Sequence, residues 1–273
     1  MEKIKYVKRD ASMLEQGVII NVKTVDQAKI AEDAGAVAIA IIPQYQHDDN
    51  SVHHMADITT IKDICNAVSL PVIVSIRPGH IAEAKIAMAL HADYINECGL
   101  LSPIVGGEPI DKNNYELPFI SEVKSFDEAL IKIEEGSSVI AICGRGGHGD
   151  ITETARLFFE FKNKIEMMIR MNDEELMAFA QEKKISFALA QVIKAKKKLP
   201  VVLFAAGGIS TPADAAYLMM VGADGVIVGS GIFESSNPRQ YASAFVEAIS
   251  NYNDADKLAE ISEGLGNPMK GAR

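Results

Sequence analysis

The sequence predicts a single (βα)8 barrel, an α/β fold, on three observations. Eight short, β-branched apolar runs alternate with longer helical patterns, the signature of parallel strands joined by helical crossovers. The runs are continuous rather than alternately polar and apolar, as in GVIVGS, which is how strands covered on both faces read. The 273 residues also match the roughly 250 that one such barrel takes. An open sheet of the same strands is the competing arrangement, and it would leave two edges to protect.

In chain order the expected strands are Gly17 to Val22, Ala36 to Ile42, Pro71 to Ile76, Tyr94 to Cys98, Pro118 to Val123, Val139 to Gly144, Val201 to Ala206 and Gly225 to Gly229. Helices between them carry their own punctuation. Thr24 caps a segment that ends in Gly35, Ser125 caps one that ends in Gly136, and Thr211 followed by Pro212 opens one that Gly222 closes. Junctions such as DAGAVAIA and VGADGVIV return each helix to the sheet through a tight turn. Residues 1–273 are therefore taken as one barrel domain, with 1–16 as an N-terminal helical segment. Residues 151–198 are too many for one crossover and are expected to hold two or three helices, elaborating the sixth unit.

Composition narrows the function. With 27 basic against 37 acidic side chains the formal net charge is −10, and no basic run extends beyond Lys196 to Lys198, so there is no electrostatic footprint for nucleic acid. Hydrophobic residues at 48% and charged residues at 23% are ordinary globular values. Cys65, Cys98 and Cys143 are widely spaced and odd in number, which argues against a disulfide framework or a structural zinc site and for a reducing compartment. No apolar stretch approaches the roughly 18 residues of a membrane span, and MEKIKYVKRDASMLEQG lacks the apolar centre of a secretion signal. A cytoplasmic protein is the expectation, with no membrane or nucleic-acid partner.

Barrels of this kind work at the C-terminal ends of their strands, where the loops after strands seven and eight commonly bind phosphate. Here those loops read AAGGISTP (205–212) and GSGIF (229–233). Glycines let backbone N–H groups approach an anion, and a following helix adds its dipole. The competing reading is that the glycines only permit tight turns; their presence in both loops favours phosphate. The loop after strand six, CGRGGHGD (143–150), holds Arg145 and His148, with a solvated loop as the reading for the histidine. His47, Asp48, His53 and His54 have metal-ligand composition, but adjacent histidines rarely converge on one ion, and no metal site or cofactor is assigned.

These residues carry a family resemblance. LPVVLFAAGGISTPADAAYLMMVGADGVIVGSGIF, GVIINVKTVDQAKIAEDAGAVA, MADITTIKDICNAVSLPVIVSIRPGHIAEAKI and EISEGLGNPMKG resemble the synthase subunit of pyridoxal 5'-phosphate synthase, the PdxS (SNZ) family, from about Lys5 to Gly271. The resemblance implies a (βα)8 barrel assembled as hexameric rings stacked into a dodecamer. It also implies synthesis of pyridoxal phosphate from ribose 5-phosphate, glyceraldehyde 3-phosphate and ammonia, the ammonia supplied by a glutaminase subunit, PdxT.

The family reaction rests on two lysines that form imines with the sugar, and the resemblance places them at Ser75 and Cys143. A serine forms no imine, and a cysteine gives only a reversible hemithioacetal. The strand-one aspartate falls at Asn21, an amide that is no base near neutral pH. The motif DESE reads Asn96-Glu97-Cys98-Gly99, and the strand-six arginine is Ala141. The family's phosphate-binding positions match Gly147, Gly149, Gly208, Gly229 and Ser230. Lys23, two residues past Asn21, shares its strand face and is the one candidate for a relocated imine lysine, against a surface lysine opening helix one. Arg77 shares parity with Ser75 and is either an anion clamp or a structural ion-pair partner.

The leading expectation is a catalytically inactive PdxS-like pseudoenzyme that binds a sugar phosphate or phosphate ion. It would work as a homo-oligomer of hexameric rings or with an active paralogue. An active barrel enzyme using Lys23 or Cys143 on a pentose phosphate is the alternative, and a purely structural ring protein is the third.

Overall fold

A computed structural model describes residues 11–43, 52–106, 108–146 and 149–266. Eight parallel strands close in sequence order, β8 pairing back onto β1. They are β1 (Gly17–Val22), β2 (Ala38–Ile41), β3 (Val72–Ile76), β4 (Tyr94–Glu97), β5 (Phe119–Val123), β6 (Val139–Cys143), β7 (Val202–Ala206) and β8 (Gly225–Val228). The apolar runs thus become strands almost residue for residue, each end trimmed by at most two positions. The barrel is the fold that the sequence predicts.

The helices form where the caps stand. Thr24 accepts from the Gln27 N–H to open α1 (Val25–Asp33), and Asp57 accepts from Thr59 and Thr60 to open α2 (Ile58–Ala67). His80 Nδ1 accepts from Glu83 to open α3 (Ile81–Ala89), and Ser125 opens α4 (Phe126–Glu134). Between β6 and β7 lie three helices, α5 (Thr152–Arg170), α6 (Asp173–Lys183) and α7 (Phe187–Lys196). Thr211 and Asp214 make a reciprocal capping box for α8 (Pro212–Met220). Two more helices, α9 (Pro238–Ser250) and α10 (Ala255–Ser262), close the chain's described part.

Strand alternation divides the side chains into two sets. Ile19, Ala38, Ala40, Ile73, Tyr94, Ile120, Val139, Ala141, Val202, Phe204, Ala206 and Ile227 fill the barrel, with Ala11 and Leu14 packed among them at the strands' N-terminal end. The opposite set, including Val18, Ile20, Ile39, Val74, Ile95 and Val226, packs outward against the helices. Gly17 is required by contact: a Cβ there would stand 2.3 Å from Val37.

One crossover departs from the expected repeat. Between β4 and β5 the chain makes only a 3-10 turn, Lys112–Asn114, where an α-helix would cover the sheet. Charge replaces the missing apolar face. Lys112, 0% exposed, places its ammonium 2.8 Å from Glu97 and 2.6 Å from Glu135, while Lys132 reaches the same two carboxylates at 3.2 and 3.1 Å. The Gly79 N–H and the Ser121 hydroxyl also donate to Glu97. Two cations and two anions balance, which is the condition under which buried charge is tolerated.

Candidate functional site

Continuing the inward parity of each strand to its C-terminal end gives the residues of the barrel mouth. After Ile19, Ile73, Tyr94, Ile120 and Ala141 come Asn21, Ser75, Asn96, Glu122 and Cys143. The register sets Ser75 beside Asn96 and Cys143 beside Ala206. Four of the five are positions singled out in the sequence; Glu122 is not among them. Within FISEV it reads as the solvent-side position of a strand, and its partners lie on other strands, so no local pattern marks it.

Glu122 nevertheless organises the mouth. Its Oε1 accepts from Asn96 Nδ2 at 2.9 Å, and its Oε2 accepts from the Gly99 N–H at 2.9 Å and from the Cys143 thiol at 3.5 Å. Burial, and then the Glu122 carboxylate, push the Cys143 thiol well above its ordinary range. Cys98, 1% exposed, is pushed up in the same way. Both stay protonated near neutral pH, and a thiol is a poor nucleophile beside a thiolate. Asn96 Oδ1 is buried with no hydrogen-bond partner among the described residues, and the buried Ser75 hydroxyl pairs with the Cys98 sulfur.

No lysine belongs to this inward set of five. Asn21 is half-buried at the end of β1, and Lys23, one residue past the strand, is half-buried too. The Lys23 backbone N–H donates to Gln27 Oε1 at 2.8 Å, fixing the turn into α1. Among the described residues its ammonium makes no ion pair. Arg77 has the ion-pair partner that one of its two readings expects: its Nε lies 2.8 Å from Glu83 Oε1, its backbone N–H donates to Glu83 Oε2, and Glu83 is 5% exposed.

The glycine loops divide into two kinds. Gly207 and Gly208 have φ of +83° and +78°, and a Cβ would stand 2.6 Å from Gly144 O in the first case and 2.0 Å from Asp150 O in the second. Here the loops after β6 and β7 lie backbone against backbone. Thr154, in the first turn of α5, clasps them, its hydroxyl standing 3.0 Å from Ala206 O and 2.8 Å from Gly207 O. Gly149 at φ +63° belongs to the same contact, its carbonyl 3.3 Å from Ser210 Oγ. Gly207 and Gly208 are thus demanded by packing, and Gly149 is favoured by its φ alone.

Gly229 is different: its φ of −68° suits any residue, and nothing lies within 4 Å of where a Cβ would be. It opens a 3-10 turn, Ser230–Glu234, with no side-chain cap on its first N–H groups. The first N–H groups of this turn have no side-chain cap among the described residues, the backbone chemistry that an anion uses.

Gly147 and His148 lie outside the described residues, as do His47 and Asp48. His53 exchanges two backbone-mediated bonds with Ser102, its N–H reaching Ser102 Oγ and its carbonyl accepting from the Ser102 N–H, both at 3.0 Å. The loop after β2 is thereby tied to the β4–β5 connection. Among the described residues no group of three or more His, Cys, Asp or Glu side chains could hold a metal ion.

A family model described as the SOR/SNZ family matches residues 3–206, and one described as thiazole biosynthesis protein ThiG matches residues 183–264. The chain is 43% identical to pyridoxal 5'-phosphate synthase subunit PdxS of Methanocorpusculum labreanum, over 98% of this chain and 93% of the relative. Identity to the subunit of the same name from Dictyoglomus turgidum is 45%, over 97% and 91%, and to that from Bifidobacterium longum 44%, over 96% and 91%. Among solved structures, thiamine phosphate pyrophosphorylase from Pyrococcus furiosus superposes with a TM-score of 0.51 at 15% identity, covering 94% of this chain and 98% of that one. That likeness concerns the barrel alone.

Proposed function

The chain belongs to the SOR/SNZ family, and from that premise we propose that it is a non-catalytic member of vitamin B6 biosynthesis. In this reading it binds a sugar phosphate or phosphate ion and acts in or on a pyridoxal 5'-phosphate synthase assembly. The observation that carries the proposal is the composition of the mouth. Imine chemistry needs an unprotonated primary amine within reach of a carbonyl carbon, and Asn21, Ser75, Asn96, Glu122 and Cys143 supply none. The single thiol in that set that solvent reaches donates to a carboxylate, which argues against Cys143 as a substitute nucleophile.

Phosphate binding is assigned to Gly229 and Ser230, whose uncapped backbone faces open space. The family positions Gly149 and Gly208 lie on the neighbouring loops after β6 and β7, and Gly147 lies outside the described residues. The assembly is a homo-oligomer of hexameric rings or a hetero-oligomer with a lysine-bearing paralogue, with the glutaminase subunit PdxT as a further partner. The compartment is the reducing cytoplasm; Cys65, Cys98 and Cys143 are free thiols, and no helix of the described residues is long and apolar enough to cross a membrane.

The second reading, an active enzyme on a pentose phosphate, is favoured by one feature: Lys23 is half-buried at the rim with no ion pair among the described residues. One experiment separates the two. Purified protein is incubated with ribose 5-phosphate, reduced with borohydride and weighed. The proposal expects unmodified mass. A reduced adduct on Lys23, lost in Lys23→Ala, would establish the second reading instead.

A further inference from the structure

Three donors converge on the Glu122 carboxylate from three places in the chain: Asn96 Nδ2 on β4, the Gly99 N–H in the turn after it, and the Cys143 thiol on β6. None is a local cap, since the partners are 21 to 26 residues away. Gly99 keeps the seat open: a Cβ there would stand 3.2 Å from Glu122 Oε2. Beside this seat is one polar atom with no partner among the described residues, Asn96 Oδ1, on a residue 3% exposed, while the Ser75 hydroxyl, 0% exposed, pairs with the Cys98 sulfur. Asn96 spends its amide donor on Glu122 and leaves its acceptor unanswered. Glu122 itself is only half-buried, so its side chain can leave toward solvent without unpacking the barrel.

We propose that Asn96, Gly99 and Cys143 form a carboxylate-binding site in the barrel mouth that the chain fills with its own Glu122, so that a small carboxylate binds there only by exchange with that side chain. The chemistry is that of an oxyanion seat: an amide N–H, a backbone N–H and a thiol all donate, and each bond to an ionised acceptor is stronger than its neutral counterpart. An internal carboxylate held by the fold outcompetes a free one through its effective concentration. This inference is independent of the phosphate reading, since it uses none of the glycine loops.

Cys143 reports the occupancy of the seat. Alkylation by iodoacetamide near neutral pH, followed by the mass of the Cys143 peptide in the full chain, is expected to be slow in the native protein and indifferent to acetate. In Glu122→Ala it becomes about tenfold faster, because the carboxylate that helps to hold the thiol protonated is gone. Acetate then slows it again, at ionic strength held constant with chloride. Glu122→Gln labels faster than native yet shows no protection by acetate, because the amide still fills the seat. Should Glu122→Ala not fold, Glu122→Ser carries the same test. Labelling of the emptied variant at the native rate, or at a rate that acetate does not change, overturns the proposal; so does protection of the native protein by the same acetate concentration.

Discussion

Asn96 and Glu97 are neighbours on β4 and face opposite ways, and the two regions they enter could hardly differ more. Outside the barrel Glu97 meets Lys112 and Lys132, and four charges, two of them fully buried, neutralise one another behind β4 and β5. Inside, Asn96 meets Glu122, two thiols lie close by, and the Asn96 carbonyl has no partner among the described residues. Lysine stands in the outer cluster, and none belongs to the five inward residues of the mouth. The outer cluster is a closed electrostatic unit; the inner one is open.

The sharpest way to break this contrast is Lys112→Met, which keeps volume and removes the central cation. Leaving Glu97 and Glu135 with Lys132 alone is expected to cost about 3–5 kcal/mol in urea unfolding. A loss below about 1 kcal/mol, the scale of an exposed pair, would erase the distinction between the regions.

Next in size is an acid effect. Burial alone would raise the pKa of Glu97, but Lys112 and Lys132 outweigh it and bring the carboxyl from 4.5 down to about 2. A folded-state pKa below the unfolded one gives stability that is complete above pH 4.5 and lost as pH falls toward 2. About 3 kcal/mol should disappear across that window. Stability measured against pH in Glu97→Gln should lack that component.

Inside the barrel the effects shrink and then change sign. Glu122→Gln keeps an acceptor for two of the three donors and is expected to cost about 1 kcal/mol, the scale of hydrogen bonds rather than of a buried ion pair. Ser75→Ala removes a buried hydroxyl whose hydrogen bond is to the weakly accepting Cys98 sulfur. Unfolding should show it neutral or stabilised by up to about 1 kcal/mol. A clear destabilisation would mean that the hydroxyl has a stronger partner in solution, and the mouth would then be as closed as the outer cluster.

The fold was legible because its signals are local. Apolar runs, threonine and serine caps and closing glycines are written within a few residues of where they act, and the strands follow them closely. What escaped reading depends on contacts between distant segments. Glu122 gains its meaning from residues 21 to 26 positions away. The pairing of Glu97 with Lys132 spans 35 positions, and with it came the fourth crossover that has no α-helix. Arg77 lay between: its partner Glu83 is only six residues on, near enough for both of its readings to be seen and too far for periodicity to choose. The glycines show the same limit, since Gly208 and Gly229 look alike in sequence, while one is fixed by a neighbouring carbonyl and the other borders empty space.

Thr154 gives the molecule a mechanical property. Its hydroxyl grips the carbonyls at the end of β7 while its backbone belongs to the first turn of a helix 19 residues long. The loop after β7 is thereby joined to an outer helix by one hydroxyl, with no other side chain between them.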